Sequence, residues 1–414
     1  MTANNNRQIS PIQAIAVSVG AMIGWGVFVM PSDLFLVKST LLGSAVAFVF
    51  GTLLITLVAR CYMNLMKLHS DEQGGVFWVR HYLGDRHAMI YGFCVLAGYL
   101  AIVALNTSAI TLLLRNHLPA DWQWLPLYRI NDWQMFGSEL IISSFVLVAC
   151  AWINSKGIKH GALVQLIIAF LMVGAIIVLS VGSLWVAPHA YLPPLKSELG
   201  AFDSGSWLAI LAIVPWAYVG FETTPNIAKN IATSKKQSTH IIYLSIFSGL
   251  VCYLLVNYFT ALNVNFDYAA IKELSWATGA GVREQLGSAG MAILTLAMAC
   301  SIISGINGFL LSALSLVESM NEQRVLPTFL FHGFHEQKPN PLIITMLTLL
   351  CLSMTLLGRN HLLTLVNIAS LGIAFGFIYV ILADIISQKQ HKKRLRLSSC
   401  LALVVGAWFV WLVF

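Results

Sequence analysis

The chain has 414 residues, 58% apolar and only 10% charged, with a formal net charge of +7. Soluble domains carry about 25% charged residues, and disordered chains are poor in apolar ones, so both classes are excluded and a polytopic membrane protein remains. A membrane-crossing helix needs roughly 20 apolar residues. Stretches near that length lie at 12–36, 40–66, 88–114, 137–154, 160–187, 207–229, 239–263, 287–319, 341–357, 362–387 and 397–413, so about eleven transmembrane helices are expected.

The first stretch is interrupted by Gly20-Ala21-Met22-Ile23-Gly24-Trp25-Gly26 and runs on to Pro31, so it reads as a retained span and not as a cleaved leader. Trp122, Trp124 and Trp133, between the third and fourth stretches, and Trp185, near the end of the fifth, lie near outer ends and fit the aromatic belt of a membrane interface. The sixth stretch is interrupted as well, at Val219-Gly220-Phe221-Glu222, between Pro215 and Pro225. The run from Lys389 to Arg396 before the last stretch is a solvated loop or a contact with anionic lipid headgroups.

The positive charge reports topology and not nucleic-acid binding. With the N-terminus in the cytoplasm, 17 of the 24 Lys and Arg residues fall in inner connections and seven in outer ones, as the positive-inside rule expects. An odd number of crossings then puts Phe414 outside. The seven cysteines lie in or at the edges of apolar segments with no CxxC pair and no cluster in an outer loop, so no structural disulfide or zinc site is expected. No cofactor is expected either, and without a nucleophile–base pairing or metal-ligand spacing the chain does not read as an enzyme.

With no low-complexity linker, residues 1–414 form a single membrane domain. Residues 1–200 hold five spans and 201–390 another five, each half opening on an interrupted helix, and 391–414 add an eleventh. A five-helix unit crosses an odd number of times, so its second copy enters from the opposite face. Inverted halves with broken helices are the build of a secondary transporter whose site lies at the breaks; the plainer alternative is glycine-mediated helix packing. At a break, freed N–H groups favour an anion and freed carbonyls a cation, which suits a zwitterion such as an amino acid.

At these residues the chain resembles the amino acid–polyamine–organocation superfamily of permeases. Gly20–Phe28 is similar to its first-helix pattern G-x-x-I-G-S-G-I-F, and Gly74-Gly75-Val76-Phe77 to the Gly-Gly-x-Tyr turn after helix 2. Trp216–Glu222 is similar to the helix 6 pattern, and Asn307-Gly308-Phe309 with Val325-Leu326-Pro327 to the end of helix 8 and its loop. The resemblance implies an all-α fold of five plus five inverted helices, with helices 1 and 6 unwound at the centre. It implies a substrate carboxylate held by the backbone N–H groups around Gly24, Trp25 and Gly26 and an amino group taken by carbonyls near Tyr218 and Val219, with Ile23 and Gly220 also in the substrate site. Phe309 stands where arginine/agmatine and putrescine/ornithine exchangers carry a helix 8 tryptophan, and Trp216 and Glu222 fall where the arginine/agmatine antiporter has a gating tryptophan and a proton-responsive glutamate. No cysteine lies between helices 3 and 4, where light-chain transporters make a disulfide to a partner, so no disulfide-linked partner is expected. Apart from the resemblance, Asn106, a polar residue within helix 3, is a further substrate-binding candidate.

Trp25 replaces the pattern's serine, Leu163 stands where some members carry a helix 5 lysine, and Lys229-Asn230 replaces an acidic pair. Glu222, a carboxylate at membrane depth, is the proton-coupling candidate, or else a cap for the break. Ser301 and Ser304 are weak sodium-site candidates, or else bond back to their own helix. Asn106, Asn307 and Asn367 are ligands or interhelical glue. The expected function is secondary active transport of amino acids or derived amines across the plasma or inner membrane by alternating access. The alternatives are amino acid–amine or polyamine exchange, with Glu222 pairing a cationic substrate, and a non-transporting amino acid sensor.

Overall fold

The computed structural model describes residues 9–69, 74–130, 133–186, 198, 204–232, 235–274, 276–326, 340–391 and 395–413. Pro327, the half boundary at 200–201, and Arg7, Lys196, Lys338, Lys392, Lys393 and Arg394 among the counted charges lie outside them.

Helix α1 (Pro11–Met22) opens on a capping box: the Ser10 hydroxyl accepts from the Gln13 N–H and the Gln13 side chain takes the Ser10 N–H. After a break, α2 (Gly26–Met30) passes through a π-helical turn, Pro31–Phe35, into α3 (Leu36–Lys38). The Thr40 hydroxyl caps α4 (Leu41–Leu68). Gly74-Gly75, expected in a turn, instead open α5 (Gly74–Leu83), which leads through Gly84 into α6 (Asp85–His117).

Among the described residues the one sheet is a small antiparallel hairpin, β1 (Pro126–Ile130) with β2 (Trp133–Phe136), paired Tyr128 to Met135 and Arg129 to Gln134. Arg115 ties it down, donating to Glu139 (2.6 Å) and lying 3.8 Å over the Trp133 ring. Then come α7 (Gly137–Ser155), α8 (Ile158–Val186) and the interrupted segment α9 (Ser204–Leu211), α10 (Val214–Ala217) and α11 (Thr223–Asn226). The chain continues as α12 (Lys235–Asn263), α13 (Tyr268–Glu273), α14 (Ala277–Glu322), α15 (Pro341–Thr355), α16 (Gly358–Gln390) and α17 (Leu397–Val413). The expected span start at 287 coincides with Gly287, whose φ of +63° and ψ of −155° kink α14.

Among the described residues, seven helices are long and apolar enough to cross a membrane: Leu41–Leu68, Asp85–Arg115, Gly137–Ser155, Ile158–Val186, Thr239–Asn263, Ala277–Glu322 and Ala369–Gln390. Pro11–Met22 and Gly26–Lys38, bent by 47°, qualify together. The remaining expected stretches, 207–229, 341–357 and 397–413, overlap shorter apolar helices, Gly205–Ala217, Pro341–Thr355 and Leu397–Trp411. The protein is thus an all-α polytopic membrane protein. Its outer surface agrees: Phe145 (72%), Phe170 (77%) and Trp185 (89%) are bare, a display of apolar surface that lipid accommodates and water does not.

In the interior, α6 packs along α14 and α16, while α8 packs on α14 and α1. Small residues allow the approach. A Cβ on Gly372 would meet the Cys94 carbonyl at 2.5 Å, and one on Gly98 would meet Ile373 at 2.5 Å. Polar side chains add interhelical bonds: Asn154 donates to Asn307 (2.9 Å), Asn307 to Gln165 (2.7 Å), and Gln165 to the Ser304 hydroxyl (2.7 Å), joining α7, α8 and α14.

Candidate functional site

The two interruptions meet in the middle of the bundle. In the first, the Ile23 N–H still reaches Val19 (2.9 Å), Gly24 turns back to the Met22 carbonyl (3.2 Å), and helical bonding resumes with Val27 to Gly24 (3.2 Å). The Gly26 N–H has no acceptor among the described residues. In the second, successive tight turns carry residues 218–222, with Phe221 N–H to the Tyr218 carbonyl (3.3 Å) and Thr223 N–H to the Gly220 carbonyl (3.1 Å). Pro215, without a donor, and Pro225 flank these turns, where a continuous helical ladder would lose a bond.

Gly220 is where the breaks touch. Its φ is +124°, and a Cβ there would lie 2.8 Å from the Met22 nitrogen and 2.9 Å from the Ala21 carbonyl carbon. Toward the N-terminal end of α1 the contact continues through Ser18, whose hydroxyl lies 2.5 Å from that of Thr224 and 3.1 Å from that of Thr223.

Beside the breaks lies a cavity of about 310 Å³. Of the sequence-derived substrate residues, Gly24, Trp25, Gly26, Asn106, Trp216, Val219 and Phe309 line it. Asn106 is 4% exposed; its amide donates to the Ile102 carbonyl (2.9 Å), and its Oδ1 is buried without a hydrogen-bond partner. Gly305 leaves room for that amide, since a Cβ there would come within 2.8 Å of it. The rings of Tyr99 and Phe309, 5.4 Å apart and fully buried, pack together beside the cavity.

Four of the sequence-derived residues do not line it. Ile23 is sealed in the apolar core, and the Tyr218 hydroxyl is 2.5 Å from that of Thr52 on α4. Gly220 packs on α1, and its N–H donates to Glu222 Oε2 at 2.8 Å. Glu222, 3% exposed, thus ties its own break, while its Oε1 has no hydrogen-bond partner. It is buried in the neighbourhood of Tyr62, Tyr91 and Tyr99. Asn226 donates to the Tyr99 hydroxyl at 2.9 Å.

Ser301 and Ser304 do not converge on a site. The Ser301 hydroxyl bonds back to the Met298 carbonyl (2.8 Å), and that of Ser304 accepts from Gln165, against Gly20 of α1. Leu163, expected at a functional position of helix 5, is 46% exposed on the outside of the bundle, and Gln165, two residues on, is the side chain that reaches inward. Asn307 is engaged in the interhelical chain and Asn367 is exposed. At the end of the bundle near residue 9, Lys229 pairs with Glu322 and, at 3.6 Å, with Glu318. Beside it, Ile9 bonds to Asn230 (3.0 Å) and accepts from Ala232 (2.8 Å).

Sequence reasoning missed further residues of the cavity wall: Val29, Met30, Asp33, Phe35, Ile213 and Tyr253. A signal for some of them was present, because Trp25, Val29 and Asp33 recur every four residues and so fall on one helical face. Among the described residues no group of three His, Cys, Asp or Glu side chains is arranged to hold a metal ion. All seven cysteines are unpaired thiols.

The family model described as "Amino acid permease" matches residues 9–414. The chain is 20% identical over 363 residues to the inner membrane transport protein YbaT of Escherichia coli, covering 85% of this chain and 79% of that one. It is 25% identical over 371 residues to the large neutral amino acids transporter small subunit 2 of Oryctolagus cuniculus, covering 87% and 66% respectively. It is 23% identical over 414 residues to the branched-chain amino acid permease BcaP of Bacillus subtilis, covering 95% and 83%.

Proposed function

This chain belongs to the amino acid permease family, and on that premise we propose that it is a secondary active transporter that moves amino acids across the plasma or inner membrane by alternating access. The observation that carries the reading is Asn106 Oδ1, a buried acceptor without a partner in the wall of a cavity that also contains the Gly24–Gly26 break. A buried acceptor left empty is costly, and an ammonium group is its natural complement. The Gly26 N–H, in the same cavity wall, supplies a donor for a carboxylate. These two groups recognise the backbone of an amino acid, and the aromatic and aliphatic wall takes the side chain.

The reading includes two inverted five-helix halves, 1–200 and 201–390, an added helix in 391–414, eleven crossings and a cytoplasmic N-terminus. The 17:7 distribution of basic residues and the similar interruptions in the first and sixth spans support it. Glu222 is the proposed proton carrier, supported by its seclusion next to both breaks and by its unbonded Oε1. Alternating access then consists of opening one end of the bundle while the other is held shut, at the end near residue 9 by the Lys229 ion pairs.

The test uses purified full-length protein and proteoliposomes. Screening amino acids and amines by thermal shift identifies a ligand, since one at 100 times its Kd stabilises the folded state by about 2.7 kcal/mol. Radiolabelled uptake then measures movement. Asn106→Leu is expected to abolish both signals, and Asn106→Asp, which keeps an acceptor, to retain binding. Absence of binding and uptake for every amino acid would overturn the transport reading.

A further inference from the structure

A second cavity, of about 230 Å³, lies away from the two breaks, among the C-terminal turns of α4 and α16 and the residue that precedes α17. The topology proposed above puts this end of the bundle in the cytoplasm. Two cations and one carboxylate line the cavity: Lys67, Arg396 and Asp384. Asp384 is buried, and its Oδ2 accepts from the Gln388 amide (2.7 Å) and the Ser399 hydroxyl (2.8 Å). Both cations are exposed. The Arg396 guanidinium donates to Asn64 Oδ1 (2.5 Å), a neutral partner that leaves its charge uncompensated. Lys67 has no hydrogen-bond or ion-pair partner among the described residues. The helix ends do not oppose an anion here. Leu65 and Ser387, in the last turns of α4 and α16, already accept from the N–H groups of His69 (2.8 Å) and His391 (3.1 Å). The N-terminus of α17 adds a positive dipole end.

We infer that this cavity holds the phosphate of an anionic membrane phospholipid, with an acyl chain lying along α17. A phosphodiester carries one negative charge, the complement of two cations set against one carboxylate that is already engaged. Its oxygens accept from the Lys67 ammonium and from the guanidinium donors of Arg396 that Asn64 does not use. A basic pocket between helices at the cytoplasmic side suits such a headgroup. The apolar surface continues from it: Leu397, Leu401 and Val404 are exposed and recur on one face of α17, beginning next to Arg396. A soluble phosphate would use the two cations and gain nothing from that face, which is why a lipid is the better occupant.

The experiment titrates purified full-length protein with phosphatidylglycerol, zwitterionic phosphatidylcholine and soluble glycerol 3-phosphate, and reads the bound species by native mass spectrometry. Wild type is expected to hold phosphatidylglycerol in preference to phosphatidylcholine and to bind glycerol 3-phosphate more weakly than the lipid. Lys67→Gln should weaken phosphatidylglycerol about fivefold, the effect of one basic residue near a membrane surface. Its melting temperature should stay that of wild type, which separates lost lipid from lost fold. Lys67→Arg keeps the charge and should keep the preference. Lys38, beyond the opposite end of α4, is the control, and Lys38→Gln should leave the preference unchanged. Equal retention of the two lipids by wild type overturns the inference. So does an equal effect of Lys67→Gln and Lys38→Gln, or a Lys67→Arg protein as weak as Lys67→Gln. Glycerol 3-phosphate bound as tightly as phosphatidylglycerol would assign the cavity to soluble phosphate and overturn the lipid. None of these readouts involves amino acid uptake, so the transport reading stands or falls separately.

Discussion

Replacing Gly220 by alanine tests whether the two breaks touch as described. The substitution adds a single methyl group at φ +124°, 2.8 Å from the Met22 nitrogen and 2.9 Å from the Ala21 Cβ. A side chain in this sparsely populated backbone region costs about 1–3 kcal/mol, and forcing a methyl into a filled contact costs a further ~1–3 kcal/mol. The nearest atom is backbone, so the strain cannot be relieved by rotating a flexible side chain. Together these give roughly 2–6 kcal/mol; at about 2.1 cal/mol/K of unfolding entropy per residue over 414 residues, that lowers the melting temperature by about 2–7 °C. Separation of the breaks would also displace Gly220 N–H from Glu222, so transport should fall by more than the stability loss explains. Gly174 in α8 is the control: a Cβ there meets nothing within 4 Å, so Gly174→Ala should be neutral or slightly stabilising. Both proteins would be purified in detergent and compared by thermal unfolding, with uptake measured in proteoliposomes. A Gly220→Ala protein that melts and transports like wild type would refute the close apposition of the breaks.

The Trp25 ring lies in the cavity wall, so Trp25→Ser should admit bulkier side chains while keeping backbone recognition; equal competition profiles for small and large amino acids in wild type and variant would dismiss this. If Glu222 carries a proton, Glu222→Gln should bind substrate yet flatten the pH dependence of uptake. Uptake curves of the same shape from mildly acidic to mildly alkaline pH would leave Glu222 only its bond to Gly220. Lys229→Ala removes half-exposed ion pairs worth little to stability. It should nonetheless speed hydrogen exchange over residues 9–16 and 227–232, where Ile9 bonds to Asn230 and Ala232; unchanged exchange would rule out a latch at that end.

The sequence by itself determined the class of the molecule and the places where its helices break. Span length follows from bilayer thickness, and interruption follows from local chemistry that glycine and proline impose wherever the chain is packed. Thus Gly24 and Gly26, and the segment from Pro215 to Pro225, were readable in one dimension, as was the helical rise from Trp25 to Asp33. The rotation of each helix about its own axis was not, because an interior apolar side chain and a lipid-facing one look alike when lipid is as apolar as the core. Thus Leu163, aligned with a helix 5 lysine of some members, faces outward while Gln165 reaches inward, and Glu222, expected at the substrate site, is buried near Tyr62, Tyr91 and Tyr99 outside the cavity wall. Ser304 likewise spends its hydroxyl on Gln165, a partner 139 residues away. Tertiary structure alone decided which polar groups satisfy one another across helices and which, like Asn106 Oδ1, are left open toward the cavity, since hydrogen-bond satisfaction depends on contacts between elements distant in the chain.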